Sequence, residues 1–154
     1  MKRSFIIIFA ILSTISAIGQ TDVNASANQN NNYVALKMFN RDTLGYVQHN
    51  FIDNKKKYIG KDLNTLLKDL EIPIKSFMPG SSDLNQDISP FIHLQFYSYN
   101  KTIHKVDIVV VWSQVLPNVT VLRLSFKNNF AWTEEVLNYF GKQIIGDIIT
   151  TQRK

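Results

Sequence analysis

The chain contains no cysteine. That excludes a disulfide scaffold, a thiolate metal site, a cysteine nucleophile and a lipid anchor on an N-terminal cysteine. Glycine is sparse, at six scattered residues, so no glycine-rich loop is present to cradle a phosphate. Charged residues make up only 19% of the chain, and just three are glutamates, of which Glu134 and Glu135 are adjacent. Nothing in that set suggests the paired carboxylates of glycoside hydrolysis. Histidine occurs at positions 49, 93 and 104, and no pair has the spacing of metal ligands on one helix face. No cofactor motif and no G-x-S-x-G elbow is found.

What the chain does have is an ordinary apolar share, 45%, and asparagine-rich polarity, with 15 Asn against 12 acidic residues. A length of 154 residues suits one domain plus a tail. The start has three parts. Met1–Ser4 is short and basic, Phe5–Leu12 is continuously apolar, and small residues stand at Ala17 and Gly19. This layout predicts a secretory signal peptide over 1–19, cut before Gln20. The apolar stretch is shorter than the roughly 20 residues that span a bilayer. Cleavage would leave 135 residues and, with Lys2 and Arg3 gone, a net charge of +3. So small a surplus, on an exported chain, argues against a nucleic-acid partner. Export without disulfides points to a bacterial periplasm or the medium. Residues 20–32 (QTDVNASANQNNN) have little to bury and are expected to be a flexible linker, leaving 33–154 as a single domain.

Asp42-Thr43 can cap a helix running to about Asn54, with Leu44, Val47 and Phe51 on one face. Asp62 can cap a second, in which Leu63, Leu66, Leu67 and Leu70 fall at i, i+3, i+4 and i+7 before Pro73 stops it. Ile74–Met78 is expected to be a short edge strand. Three later runs alternate with period two: Phe91–Tyr99, Lys105–Ser113 and Val119–Lys127. A three-residue turn at Lys101–Ile103 would set His93 opposite Val111 and Tyr97 opposite Asp107. Thr133 begins a closing helix, expected to run to about Ile149; a break at Gly141 followed by a strand over Gln143–Thr150 is the alternative. The expected fold is therefore α+β: two N-terminal helices, an antiparallel meander of three to four strands, and a C-terminal helix packed on the sheet. The αα-βββ order over Asp42–Lys127 resembles the small inhibitor folds of the beta-lactamase-inhibitor-protein type. The likeness lies in element order alone and transfers no residue roles.

The same alternation puts Phe91, His93, Tyr97, Tyr99, Asp107, Val109, Val111, Val121 and Arg123 on the second face of the sheet. Aromatic, arginine and apolar residues together are the composition of a protein contact. The competing expectation is that the segment Tyr33–Phe39 covers part of that face. Three other features are weaker. Asp83–Asp87 opens like a calcium loop but has Ile88 and Leu94 where such a loop needs Gly and Glu. Lys55–Lys57 is expected to be a solvated run. Asn24, Asn100 and Asn118 head N-x-[ST] triplets, which 15 asparagines produce by chance. The expected role is a non-enzymatic exported module that docks another envelope or extracellular protein. The alternative is a small-molecule or envelope-component binder with a pocket between helices and sheet.

Overall fold

Asp42 caps the first helix as its sequence implies, its Oδ1 accepting from Gly45 N–H at 2.9 Å. The computed structural model describes residues 32–97 and 105–153. The predicted signal peptide, the linker up to residue 31, the turn at Lys101–Ile103, Tyr99 and His104 lie outside the described residues. Helix α1 (Thr43–Val47) continues into one π-helical turn, Gln48–Ile52. It buries Val47 and Phe51 completely, and also Tyr46, which the expected stripe left out. Helix α2 (Leu63–Asp69) is capped by Asp62, whose Oδ1 accepts from Thr65 N–H at 2.9 Å. Leu63 and Leu66 are fully buried, and Leu67 and Leu70 pack at the edge of the core.

The sheet is antiparallel, four-stranded and ordered β1-β2-β3-β4, from β1 (Ser76–Pro79), β2 (Ile88–Gln95), β3 (Lys105–Pro117) and β4 (Ile145–Arg153). Helices α3 (Asn118–Lys127) and α4 (Glu134–Phe140) lie between β3 and β4 in the chain. The fold is a mixed α+β arrangement, with two departures from expectation.

The first is α3, a helix where a third alternating strand was expected. Val119–Lys127 carries two periodicities at once, as short apolar runs often do. The one realised buries Asn118, Val121, Leu124 and Ser125, a helical stripe. Asn118 anchors its start: the backbone N–H donates to Asp87 O at 2.8 Å and Nδ2 donates to Gln86 O at 2.7 Å. The αα-βββ order is kept only because β1 takes the place of the expected third strand.

The second departure is the C-terminus. Helix α4 ends at Phe140 and the chain returns as β4, the arrangement held as the alternative to one long helix. Gly141 sits against α2 so closely that a Cβ there would meet Asn64 Oδ1 at 2.4 Å. Beyond it, the β-branched pairs Ile144-Ile145, Ile148-Ile149 and Thr150-Thr151 suit a strand. Gly146 is the extra residue of a bulge between Val111 and Trp112. A Cβ there would come within 2.9 Å of Trp112 O.

One face of the sheet carries the core. Phe77, Ile92, Leu94, Ile108, Val110, Trp112 and Ile148 meet Tyr46, Phe51, Tyr58, Leu63, Leu66, Val136 and Phe140 in one buried cluster. Phe140 lies at its centre, stacked on Trp112 at 5.8 Å and edge-on to Phe77 at 5.5 Å. The segment Tyr33–Phe39 packs on the helices rather than on the second face of the sheet. Tyr33 OH donates to Glu71 Oε1 at 2.6 Å, Val34 N–H donates to Asn50 Oδ1 at 2.8 Å, and Phe39 packs edge-on to Tyr46. Nearby, Lys57 Nζ and Tyr58 OH both reach Asp69 Oδ2, at 2.8 and 2.9 Å. Lys55 Nζ pairs with Asp147 at 2.7 Å. Two of the three lysines of the expected solvated run are thus structural ties.

Candidate functional site

The hairpin between β2 and β3 keeps the expected parity but shifts the register by two residues. His93 lies opposite Val109 and Gln95 opposite Asp107. Parity decides which face a side chain takes, so Phe91, His93, Asp107, Val109 and Val111 do share the second face. The two-residue shift decides which of them meet. It brings His93, Gln95, Tyr97 and Asp107 into one polar cluster.

Asp107 is at its centre and completely buried. Its Oδ1 accepts from Tyr97 OH. Its Oδ2 lies 3.2 Å from His93 Nδ1 and 3.5 Å from Gln95 Nε2. Ser76 Oγ continues the network, 2.9 Å from Gln95 Oε1 and 2.7 Å from Tyr97 O. Burial pushes the Asp107 carboxyl up, but the hydrogen bonds from His93, Tyr97 and Gln95 outweigh it and hold the carboxyl below its ordinary value. Two polar members of the network, Ser76 and Gln95, were not among the residues expected on this face, and Gln95 is the one that touches Asp107. The signal for Gln95 was a polar residue in a strand whose neighbours on both sides are apolar.

A carboxylate at His93 Nδ1 favours the tautomer that leaves Nε2 as an acceptor. This is the base and orienting half of a catalytic triad. Among the described residues, no hydroxyl hydrogen-bonds to Nε2. The His93 ring is instead edge-on to Phe91 at 5.6 Å. The network ties β1, β2 and β3 together through Ser76, Gln95 and Asp107. Val109, only 3% exposed, is closed to a partner.

The remaining expected contact residues lie elsewhere. Val121 and Arg123 sit on α3, because that segment is helical and not a strand. Val121 joins the core, completely buried. Arg123 is exposed, in a groove of about 470 Å³ between α3 and α4 lined by Thr120, Leu124, Lys127, Glu135 and Tyr139. Lys127 is held by Glu135 at 2.7 Å. Among the described residues Arg123 makes no side-chain hydrogen bond, but, after the hydrogen bond from Lys127, its charge helps hold the Glu135 carboxyl below its ordinary value. Burial raises the Tyr139 hydroxyl above its ordinary value, and the nearby Arg123 charge opposes that rise.

The same helix presents the largest exposed apolar side chains of its neighbourhood. Val119 and Phe126 are 75% and 69% exposed, and with Arg123 between them they follow the i, i+4, i+7 spacing of one helical face. The stripe that sequence periodicity assigned to a sheet is thus split by the helix, with Val121 and Leu124 inward and Val119, Arg123 and Phe126 outward. The helix ends in two left-handed residues, Asn129 at φ 48° and Phe130 at φ 59°. That conformation is uncommon for an aromatic residue. It turns Phe130 O onto Phe77 N–H at 2.9 Å and leaves the Phe130 ring 5.8 Å from Phe126.

In the loop of Asp83–Asp87, Ser82 Oγ accepts from Leu84 and Asn85 N–H at 3.3 Å, and Asn85 Oδ1 accepts from Asp87 N–H at 2.9 Å. Among the described residues, no group of three or more His, Asp or Glu side chains is placed to hold a metal. No helix among them is long and apolar enough to cross a membrane. No family model, curated protein or solved structure matches this chain. Its own residues are what a functional reading rests on.

Proposed function

We propose that this is an exported bacterial domain that acts without catalysis, docking an envelope or extracellular protein through the outer face of α3. The observation that carries the reading is the exposed row Val119–Arg123–Phe126 beside the α3–α4 groove. Large apolar side chains flanking an exposed arginine are the composition of an interface centre. Burying Phe126 against a partner would contribute about 2 kcal/mol, and a carboxylate on the partner would meet Arg123 in a two-pronged hydrogen bond. Helix α3 packs on β1, β2 and β3, the strands that the Asp107 network ties together. The signal-peptide layout of residues 1–19 supports the exported location.

The test is capture of partners from the host's envelope by the wild-type protein, compared with Phe126→Glu and Arg123→Glu. Each partner is then purified and its affinity measured. Either substitution is expected to weaken binding by at least about 30-fold, with the thermal midpoint unchanged because both side chains are exposed. A partner bound equally well by both variants would place the interface elsewhere.

The groove's volume supports a second reading, a small anionic envelope component held by Arg123 with Tyr139 and Thr120. It would appear in native mass spectrometry as a retained ligand lost from Arg123→Glu, with no protein captured.

A further inference from the structure

The loop between β1 and β2 folds against the start of α3 and forms a cavity of about 380 Å³, within the size range of small-molecule sites. It shares no lining residue with the α3–α4 groove. Its walls are fixed by the fold. Gly80 is held from both sides: its N–H donates to Phe91 O and its C=O accepts from Ser89 Oγ, each at 2.8 Å. A Cβ at Gly80 would run into the Phe91 ring. Asn118 is only 8% exposed and lines the cavity. Its backbone N–H donates to Asp87 O and its Nδ2 to Gln86 O. Gln86 O can only accept, so the amide nitrogen must lie on that side and Oδ1 on the other. Among the described residues Asn118 Oδ1 accepts no hydrogen bond. The cavity is thus offered a buried acceptor, fixed in direction and unused. Ser82 supplies the opposite: its Oγ accepts from Leu84 and Asn85 N–H, which occupies both lone pairs and leaves the O–H as a donor. Asp83 is exposed, and among the described residues its carboxylate takes no hydrogen bond. Pro79 and Leu122 are the apolar part of the lining.

We propose that this cavity binds one ring of a neutral saccharide. The lining argues against the other ligand classes. An anion would face the Asp83 carboxylate and Asn118 Oδ1, both acceptors, with no lysine, arginine or histidine in the lining to offset them. A metal ion would find a single carboxylate there. A purely apolar ligand would leave Asn118 Oδ1 and the Ser82 O–H desolvated and unpaired. A sugar hydroxyl both donates and accepts, so neighbouring hydroxyls satisfy Asp83, Asn118 and Ser82 together. The C–H face of the ring then packs on Pro79 and Leu122. Acceptor and donor are already locked in place, so little ordering is left to oppose binding. A free sugar and an envelope glycan present the same ring, and the α3 face stays free for its own partner.

The test is titration of the purified protein, followed by amide and methyl NMR shifts, with glucose, N-acetylglucosamine and the β-linked tetramer of each. At least one is expected to bind with a Kd of about 1 mM or tighter, moving the signals of Ser82, the Asn118 side-chain amide and Leu122. A tetramer bound at least about tenfold tighter than its monomer assigns the site to a glycan chain, and equal affinity assigns it to a single ring. Glucuronate, the glucose ring carrying a carboxylate, is expected to bind at least about tenfold more weakly than glucose. Asp83→Ala removes no hydrogen bond of the fold and is expected to weaken sugar binding by at least about tenfold, with the thermal midpoint unchanged. Asn118→Ala is expected to abolish binding, but it also frees the start of α3, so Asp83→Ala carries the test should that variant unfold. No shifts with any of these sugars at about 50 mM, shifts centred on other residues, glucuronate bound as tightly as glucose, or binding indifferent to Asp83→Ala would each overturn the proposal.

Discussion

Asp107→Ala is expected to destabilise the domain by about 3 kcal/mol, because it removes the acceptor that buried donors depend on. Tyr97 and His93 are partly open and can turn to water. Gln95 is only 1% exposed and cannot, so its Nε2 would be left desolvated and unpaired. Urea unfolding should show the loss as a lower midpoint with an unchanged slope. Asp107→Asn should cost less, since an amide oxygen can still accept from Tyr97 or His93 but carries no charge.

The substitution also changes how the protein responds to acid. A carboxyl held below its ordinary value contributes stability that is fully present above the unfolded value, near pH 4, and is lost as pH falls through the folded value. The wild type should therefore lose stability as pH falls below about 5, and Asp107→Asn should lose less of it. Parallel acid limbs for the two proteins would mean that folding does not lower the Asp107 carboxyl below its unfolded value.

Phe140→Ala has the largest expected cost, about 4 kcal/mol. The ring is completely buried and lies within 5.0 to 6.3 Å of Tyr139, Phe77, Trp112 and Trp132. Removing it opens a cavity between sheet and α4 that four rigid rings cannot collapse to fill. For a domain of this size the thermal midpoint should fall by roughly 15 °C. A fall of only a few degrees would show that the rings re-pack. Phe140→Leu, which keeps most of the volume, is expected to recover more than half of the loss.

The helical half of the core was legible because its signals are local. Asp42 and Asp62 cap the helices that follow them, and the leucines of α2 leave no competing period. The second half was ambiguous for a physical reason. Val119–Lys127 satisfies both a two-residue and a 3.6-residue repeat, and the helical form buries Val121 and Leu124 from a start anchored by Asn118 on Gln86, 32 residues away in the chain. The strand β4 was visible in its β-branched composition, but the helical spacing of Leu137, Phe140, Ile144 and Ile148 competed with it. Gly141 breaks that spacing because of its approach to Asn64 in α2, which lies far off in sequence.

Parity alone placed His93, Asp107 and Val109 correctly by face. The length of the hairpin, which parity leaves free in steps of two, determined that His93 and Gln95 meet Asp107. The partner-facing row could not be read while its segment was assigned to a strand. Arg123 was singled out for its residue type, but Val119 and Phe126 join it only once the segment is a helix.

The central claim is that the outward face of α3 meets a protein in the compartment where the chain works. Site-specific photo-crosslinking in the producing host tests it most directly, with a benzophenone side chain placed in turn at positions 119, 123 and 126 and, as a control, at the exposed Asn138 of α4. The account predicts one discrete adduct shared by the three α3 positions and absent from position 138. Adducts at position 138 as strong as those at 126, or none from any α3 position, would contradict it.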